Sequence, residues 1–215
     1  MATTRAVALA GATGLVGHAI LEGLLADESV TAVHALGRRE IGIIHPKLTP
    51  HVVDFSALRP LPPLDEVYLA LGTTIKMAGS QTAFRAVDFD ANLAIARAAL
   101  TAGARRAGLV SAMGADAKSR IFYNRVKGEI EDALTQLAFE GLVIARPSLL
   151  VGDREALGQT VRTAERVATA ASRLLGPLIP ANYRPIAATE VARALLARVP
   201  ATRGRVVLLS GEMQG

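Results

Sequence analysis

Tyr123 and Lys127 stand four residues apart in Tyr123-Asn124-Arg125-Val126-Lys127, a segment whose apolar spacing predicts a helix. Residues i and i+4 share one helix face, so a phenol and an ammonium point the same way. An ammonium near a phenol favours the phenolate, and a tyrosine with its pKa drawn down from about 10 can pass a proton near neutral pH. The two side chains are therefore equipped to act as an acid/base unit. Amphipathic helices also produce Tyr-x-x-x-Lys by chance, with the Tyr half-buried and the Lys solvated, so the pair needs a context. Ser111 supplies part of it. It offers a hydroxyl twelve residues before Tyr123, at the end of the apolar run Ala107-Gly108-Leu109-Val110.

The rest of the context is the run Gly11-Ala12-Thr13-Gly14-Leu15-Val16-Gly17, which lies between a buried-strand pattern, Val7-Ala8-Leu9-Ala10, and the helical pattern Leu15 to Leu25. Strand, glycine turn and helix in that order form a seat for an anion. Gly11 can take the positive φ of a tight turn, Gly14 lets a pyrophosphate approach the backbone, and Gly17 lets the helix pack closely on the strand. The phosphates would rest on the helix N-terminus, where free N–H groups and the macrodipole favour negative charge. An ordinary glycine-rich turn is the plain alternative, and the flanking pattern favours a dinucleotide.

The second apolar run, Val30 to Leu36, ends in Gly37-Arg38-Arg39, where an NAD-specific site usually presents a carboxylate to the ribose hydroxyls. Two guanidinium groups stand there instead. They can form charge-assisted bonds to a 2′-phosphate, so NADP(H) is expected over NAD(H). A solvated Arg pair capping a strand is the alternative. Asp54 can accept a hydrogen bond from an adenine amino group or initiate the turn before Ser56. Leu71-Gly72-Thr73-Thr74 offers close backbone approach and two hydroxyls. Asp88 and Asn92 share a helix face at i, i+4, to hold a water or the catalytic helix, or as plain solvated polar residues.

These groups must be brought together by the strands and helices around them. Apolar runs alternate with helical segments from residue 5 to about residue 146, the signature of βαβ units and a doubly wound parallel α/β sheet. Strands are expected near 5–10, 30–36, 51–54, 66–71, 106–111 and 141–146. Helices are expected near 15–26, 81–102 and 122–140, with Gly103 and Gly141 as stops, then a helical pattern from Glu155 to Leu175 and a helix near 189–198. The turns carrying Gly11, Arg38, Gly72 and Ser111 then converge at the carboxyl ends of the strands.

A chain of 215 residues can enclose one substantial core, so residues 1–215 read as a single domain, with 151–190 as a small substrate-side or lid segment. No apolar stretch approaches the roughly 18 residues of a membrane span. Met1 to Arg5 lead straight into the first strand, leaving no room for a signal peptide, and a cytoplasmic location is the expectation. Zero Cys excludes disulfides and thiol catalysis. The net charge of +5 is dispersed, with no basic helix or stacking array for nucleic acid. Four scattered His and no clustered carboxylates support no metal site. Monomer and homodimer both remain open.

The glycine pattern, Ser111, Tyr123 and Lys127 together resemble the short-chain dehydrogenase/reductase superfamily in its extended or atypical division. A closer similarity, to the Tat-interacting-protein-like oxidoreductases and their bacterial relatives, rests on Gly37-Arg38-Arg39, Val53-Asp54-Phe55, Leu71 to Thr74, Val87-Asp88, Tyr123 to Glu131 and Arg146-Pro147-Ser148. The resemblance covers about residues 5–155. It implies a Rossmann fold, NADP(H) binding and a catalytic triad of Ser111, Tyr123 and Lys127. It further implies cofactor contacts at Gly11, Thr13, Gly14, Leu15, Val16, Gly17, Arg38, Arg39, Asp54, Leu71, Gly72, Thr73 and Arg146, besides Tyr123 and Lys127. Many extended members place an Asn where this chain has Asp88, which bears on the proton relay.

On that resemblance the expected function is hydride transfer to or from a small carbonyl or alcohol substrate, with Tyr123 moving the proton and Ser111 holding the oxygen. Lys127 would bind the nicotinamide ribose. Arg184, in Asn182-Tyr183-Arg184-Pro185-Ile186, resembles a motif that reaches toward the site, and a loop Arg without a task is the alternative. A cofactor-sensing regulator would need only the glycine turn and a partner surface. A sugar-nucleotide epimerase or dehydratase would share the triad but use tightly held NAD and a larger C-terminal substrate region.

Overall fold

The computed structural model describes residues 4–152 and 180–214. In chain order its elements are β1 (Arg5–Ala10), α1 (Leu15–Ala26), β2 (Val30–Gly37), β3 (Leu48–Val52), β4 (Glu66–Leu69), α2 (Ile75–Ala78), α3 (Gln81–Arg85), a π-turn (Ala86–Ala91) and α4 (Asn92–Thr101). Then follow β5 (Arg106–Val110), α5 (Phe122–Thr135), β6 (Gly141–Arg146), β7 (Leu150–Val151), β8 (Ile186–Ala187), α6 (Ala188–Arg198), β9 (Gly204–Leu209) and α7 (Ser210–Met213). Seven strands form one parallel sheet in the order β3-β2-β1-β4-β5-β6-β9, and β7 pairs with β8 apart from it.

Each central strand is buried on both sides, which is why it reads as a continuous apolar run rather than an alternating one. Along β1, Val7 and Leu9 face a core closed by Ile20, Leu21 and Leu24 of α1 and Val191 and Leu195 of α6. Ala8 and Ala10 face the other core, closed by Ile95 and Ala99 of α4 and Ile130 and Leu134 of α5. This is the doubly wound α/β arrangement expected from the sequence. β1 lies between β2 and β4, so the chain reverses its direction of travel across the sheet there and opens a crevice at the carboxyl ends.

Several boundaries differ from the expectation. The third strand is Leu48–Val52, not 51–54, and it carries Pro50. Proline has no N–H to donate, and β3 tolerates it as the edge strand. The helix expected over 81–102 is split by the π-turn. The helix expected to reach residue 140 ends at Thr135, and Gly141 opens β6, where a Cβ would lie 2.2 Å from the Thr202 carbonyl oxygen. β9 completes the sheet beyond the strands expected. The helical pattern from Glu155 to Leu175 lies outside the described residues, as does most of the 151–190 segment.

Candidate active site

The turns after β2, β1, β4 and β5 stand side by side, because those strands are neighbours in the sheet. At the first glycine, Gly11, φ is +89°, and a Cβ there would lie 2.4 Å from the Ala70 carbonyl oxygen. Gly17 sits in α1 so close to the turn that a Cβ would lie 2.0 Å from the Gly11 carbonyl oxygen. Among the described residues, a Cβ on Gly14 would meet only that same oxygen, at 3.3 Å. Gly14 N-caps α1 with no side-chain cap and no acid in the first turn. The first intrahelical bond runs from His18 N–H to the Gly14 carbonyl, so the N–H groups of Leu15, Val16 and Gly17 have no intrahelical acceptor. Bare N–H groups, a helix dipole and room where a side chain would stand fit a pyrophosphate.

Arg38 and Arg39 follow β2, are exposed, and pair with no carboxylate among the described residues. They are available to a 2′-phosphate. Asp54 is exposed beyond β3, where its Oδ1 accepts both the backbone N–H and the hydroxyl of Ser56 at 2.9 and 2.7 Å. Of the two readings for Asp54, the turn-forming one is built into the backbone. Those bonds hold its carboxyl below the usual range and leave Oδ2 uncommitted.

Tyr123 and Lys127 lie one turn apart on α5, with the Tyr123 ring against buried Phe84 at 5.4 Å. Gly128 lets the post-β5 loop reach the helix beside Lys127, since a Cβ would lie 2.1 Å from the Ala117 nitrogen. Lys127 is nearly enclosed, and its Nζ lies 2.7 Å from Oδ1 of the fully buried Asp88. Burial pushes the ammonium down in pKa, but Asp88, then Tyr123 and Glu131, outweigh it and hold it above the usual lysine range. Asp88 Oδ2 accepts the Thr73 N–H at 2.9 Å. Asn92, also fully buried, donates to the carbonyls of Leu71, Val87 and Asp88, and its Oδ1 has no partner among the described residues. Asp88 and Asn92 are thus braces for the site, not solvated polar residues.

Ser111 follows β5 and is buried, with its hydroxyl donated to Glu131 Oε1 at 2.5 Å. Glu131 extends the helix face of Tyr123 and Lys127 by one more turn. It accepts Arg146 Nε and Nη2 at 3.0 and 2.6 Å, and Arg205 approaches at 3.5 Å. Arg146, at the end of β6, is therefore paired with the buried Glu131 carboxylate of α5. As the end of the Tyr123 to Glu131 motif, Glu131 carries no site role by itself; its i, i+4 spacing from Lys127 is the signal that the sequence offers. The Arg184 carbonyl accepts the Ser148 hydroxyl, tying the β7 and β8 segments together.

No family model matches the chain. Among curated proteins it is 41% identical over 180 residues to the mitochondrial protein fmp52 of Emericella nidulans, covering 79% of this chain and 76% of that one. It is 32% identical over 213 residues to the mitochondrial protein FMP52 of Meyerozyma guilliermondii, covering 94% and 90%. Among solved structures, MoeE5 in complex with UDP-glucose and NAD superposes with a TM-score of 0.70 at 18% identity, covering 94% of this chain and 75% of that one. A short chain dehydrogenase family protein from Francisella tularensis superposes with a TM-score of 0.68 at 12% identity, covering 99% and 100%. The fold is the Rossmann fold of these proteins. The relatives' mitochondrial description overturns the expectation of a cytoplasmic location. That expectation rests in part on the absence of Cys, which does not distinguish cytosol from mitochondrion.

Proposed function

We propose that this chain, which belongs to the Fmp52 protein family, is an NADP(H)-dependent oxidoreductase acting on a small carbonyl or alcohol. The observation that carries the reading is an uncapped glycine turn and a Tyr123–Lys127 helix face linked by the turn after β4, whose Ala70 lies against Gly11 and whose Gly72 lies against Lys127. Gly11 to Gly17 would hold the pyrophosphate, Arg38 and Arg39 the 2′-phosphate, and Leu71 to Thr73 the backbone edge beside the nicotinamide half. NADPH supplies a hydride when bound. Tyr123 would give the substrate oxygen its proton, and Lys127 would favour the phenolate left behind and bind ribose hydroxyls. The nearer kinship with Tat-interacting-protein-like oxidoreductases belongs to this proposal.

A second reading, a cofactor-sensing regulator, is favoured by one observation. Ser111 gives its hydrogen to Glu131 and so is not free to donate it to a substrate carbonyl. A sugar-nucleotide enzyme, suggested by the UDP-glucose in the MoeE5 complex, draws on fold likeness alone.

Cofactor choice is tested by calorimetric titration. The unaltered protein should bind NADPH more tightly than NADH, and Arg38→Asp should reverse the order. Loss of a charge-assisted phosphate contact costs about 1.5–3 kcal/mol, or about ten-fold or more in affinity. Equal or tighter binding of NADH by the unaltered protein would remove the assignment.

A further inference from the structure

We propose that Asp88 is a positioning residue, the fixed counter-ion that keeps the enclosed Lys127 charged and holds it in place beside Tyr123. The pair is 2.7 Å apart, with Asp88 at 0% and the Lys127 side chain at 5% exposure. The second Asp88 oxygen accepts the Thr73 N–H, so one carboxylate joins the β4 turn to α5. Gly72 closes over both, since a Cβ there would lie 3.7 Å from Asp88 Oδ1 and 3.9 Å from Lys127 Nζ. Asp88 reaches this position from the π-turn, a local break of the kind that recurs at functional sites. The charged and titratable groups acting on Lys127 are Asp88 from the π-turn and Tyr123 and Glu131 from its own helix. Arg146 of β6 and Arg205 of β9 engage Glu131, leaving Asp88 as the carboxylate in contact with the ammonium.

An enclosed ammonium without a partner gives up its proton or opens the fold. Asparagine at position 88 keeps the size and the hydrogen-bonding edge but not the charge, so Asp88→Asn isolates that role. The chain has four lysines, and the ε-carbon NMR signal of Lys127 is assigned by its loss in Lys127→Met. In Asp88→Asn the Lys127 titration midpoint should fall by about one pH unit or more, because burial then loses its largest opponent and is resisted only by Tyr123 and Glu131. NADPH affinity, level with pH in the unaltered protein through neutral and mildly alkaline solution, should drop about ten-fold or more in the variant as Lys127 loses its proton. A purely structural role would weaken binding equally at every pH.

A Lys127 midpoint unchanged or raised in Asp88→Asn overturns the proposal. If that variant does not fold at neutral pH, Asp88→Asn with Lys127→Met should restore folding by removing the unpaired charge, and a double variant no more stable than Asp88→Asn overturns it too. The consequence for cofactor and turnover rests on the oxidoreductase reading. The lysine titration needs neither cofactor nor substrate, so it tests Asp88 even where no carbonyl compound is reduced.

Discussion

Tyr123→Phe should leave a folded protein with near-normal NADPH affinity and almost no turnover. The substitution removes one oxygen and keeps the ring that packs on Phe84 at 5.4 Å. General acid catalysis commonly supplies about 10²–10⁴-fold, which at 1.36 kcal/mol per decade is about 3–5 kcal/mol of transition-state stabilisation. The loss should fall on kcat more than on KM, because the proton moves only in the transition state. Steady-state rates with a carbonyl that the unaltered protein reduces decide the matter. Full activity in the Phe variant would exclude Tyr123 as the proton donor while leaving the cofactor seat in place.

Gly14→Val should abolish NADPH binding without unfolding the chain, whereas Gly17→Ala should damage the fold itself. The contrast follows from what each new Cβ meets. At Gly14 it meets one backbone oxygen at 3.3 Å among the described residues and otherwise enters the space that the proposed pyrophosphate would occupy. At Gly17 it would lie 2.0 Å from the Gly11 carbonyl oxygen and 2.6 Å from its carbon, so α1 and the turn must separate. Overpacking of that kind costs about 1–3 kcal/mol and occasionally more. Circular dichroism, thermal melting and NADPH titration of the two variants separate the effects. A native Gly14→Val that still binds NADPH at the original affinity would move the phosphates elsewhere.

The central strands were legible because both of their faces are buried, which writes them as unbroken apolar runs ended by glycine, arginine or serine. β3 was misplaced because Thr49-Pro50-His51 lacks that composition. Only its edge position, a property of the whole sheet, makes Pro50 acceptable. β9 could have been read from Val206-Val207-Leu208-Leu209. The overlong helix after Phe122 has a different cause. Leu137 and Phe139 still pack against the core, so the apolar pattern continues past the end of the helix at Thr135.

At the site, the glycine turn was readable residue by residue because its chemistry is local to seven positions. The π-turn was not. It places Asp88 against Lys127, thirty-nine residues away, and no local propensity signals such a contact. The same holds for Ser111, whose hydroxyl goes to Glu131 twenty residues later. A serine after a strand and a tyrosine twelve residues on suggest a substrate contact. The direction of the serine's hydrogen bond depends on a carboxylate held by Arg146, which spacing does not reveal.

Hydride transfer can be observed by isotope. The unaltered protein is incubated with NADPH carrying deuterium at both C4 positions of the nicotinamide and a panel of aldehydes and ketones, and the products are weighed by mass spectrometry. At least one alcohol product should carry deuterium on its former carbonyl carbon, and Tyr123→Phe should form it far more slowly with the same label. A protein that binds NADPH tightly yet moves no deuterium to any member of the panel would contradict the oxidoreductase assignment and favour a cofactor sensor.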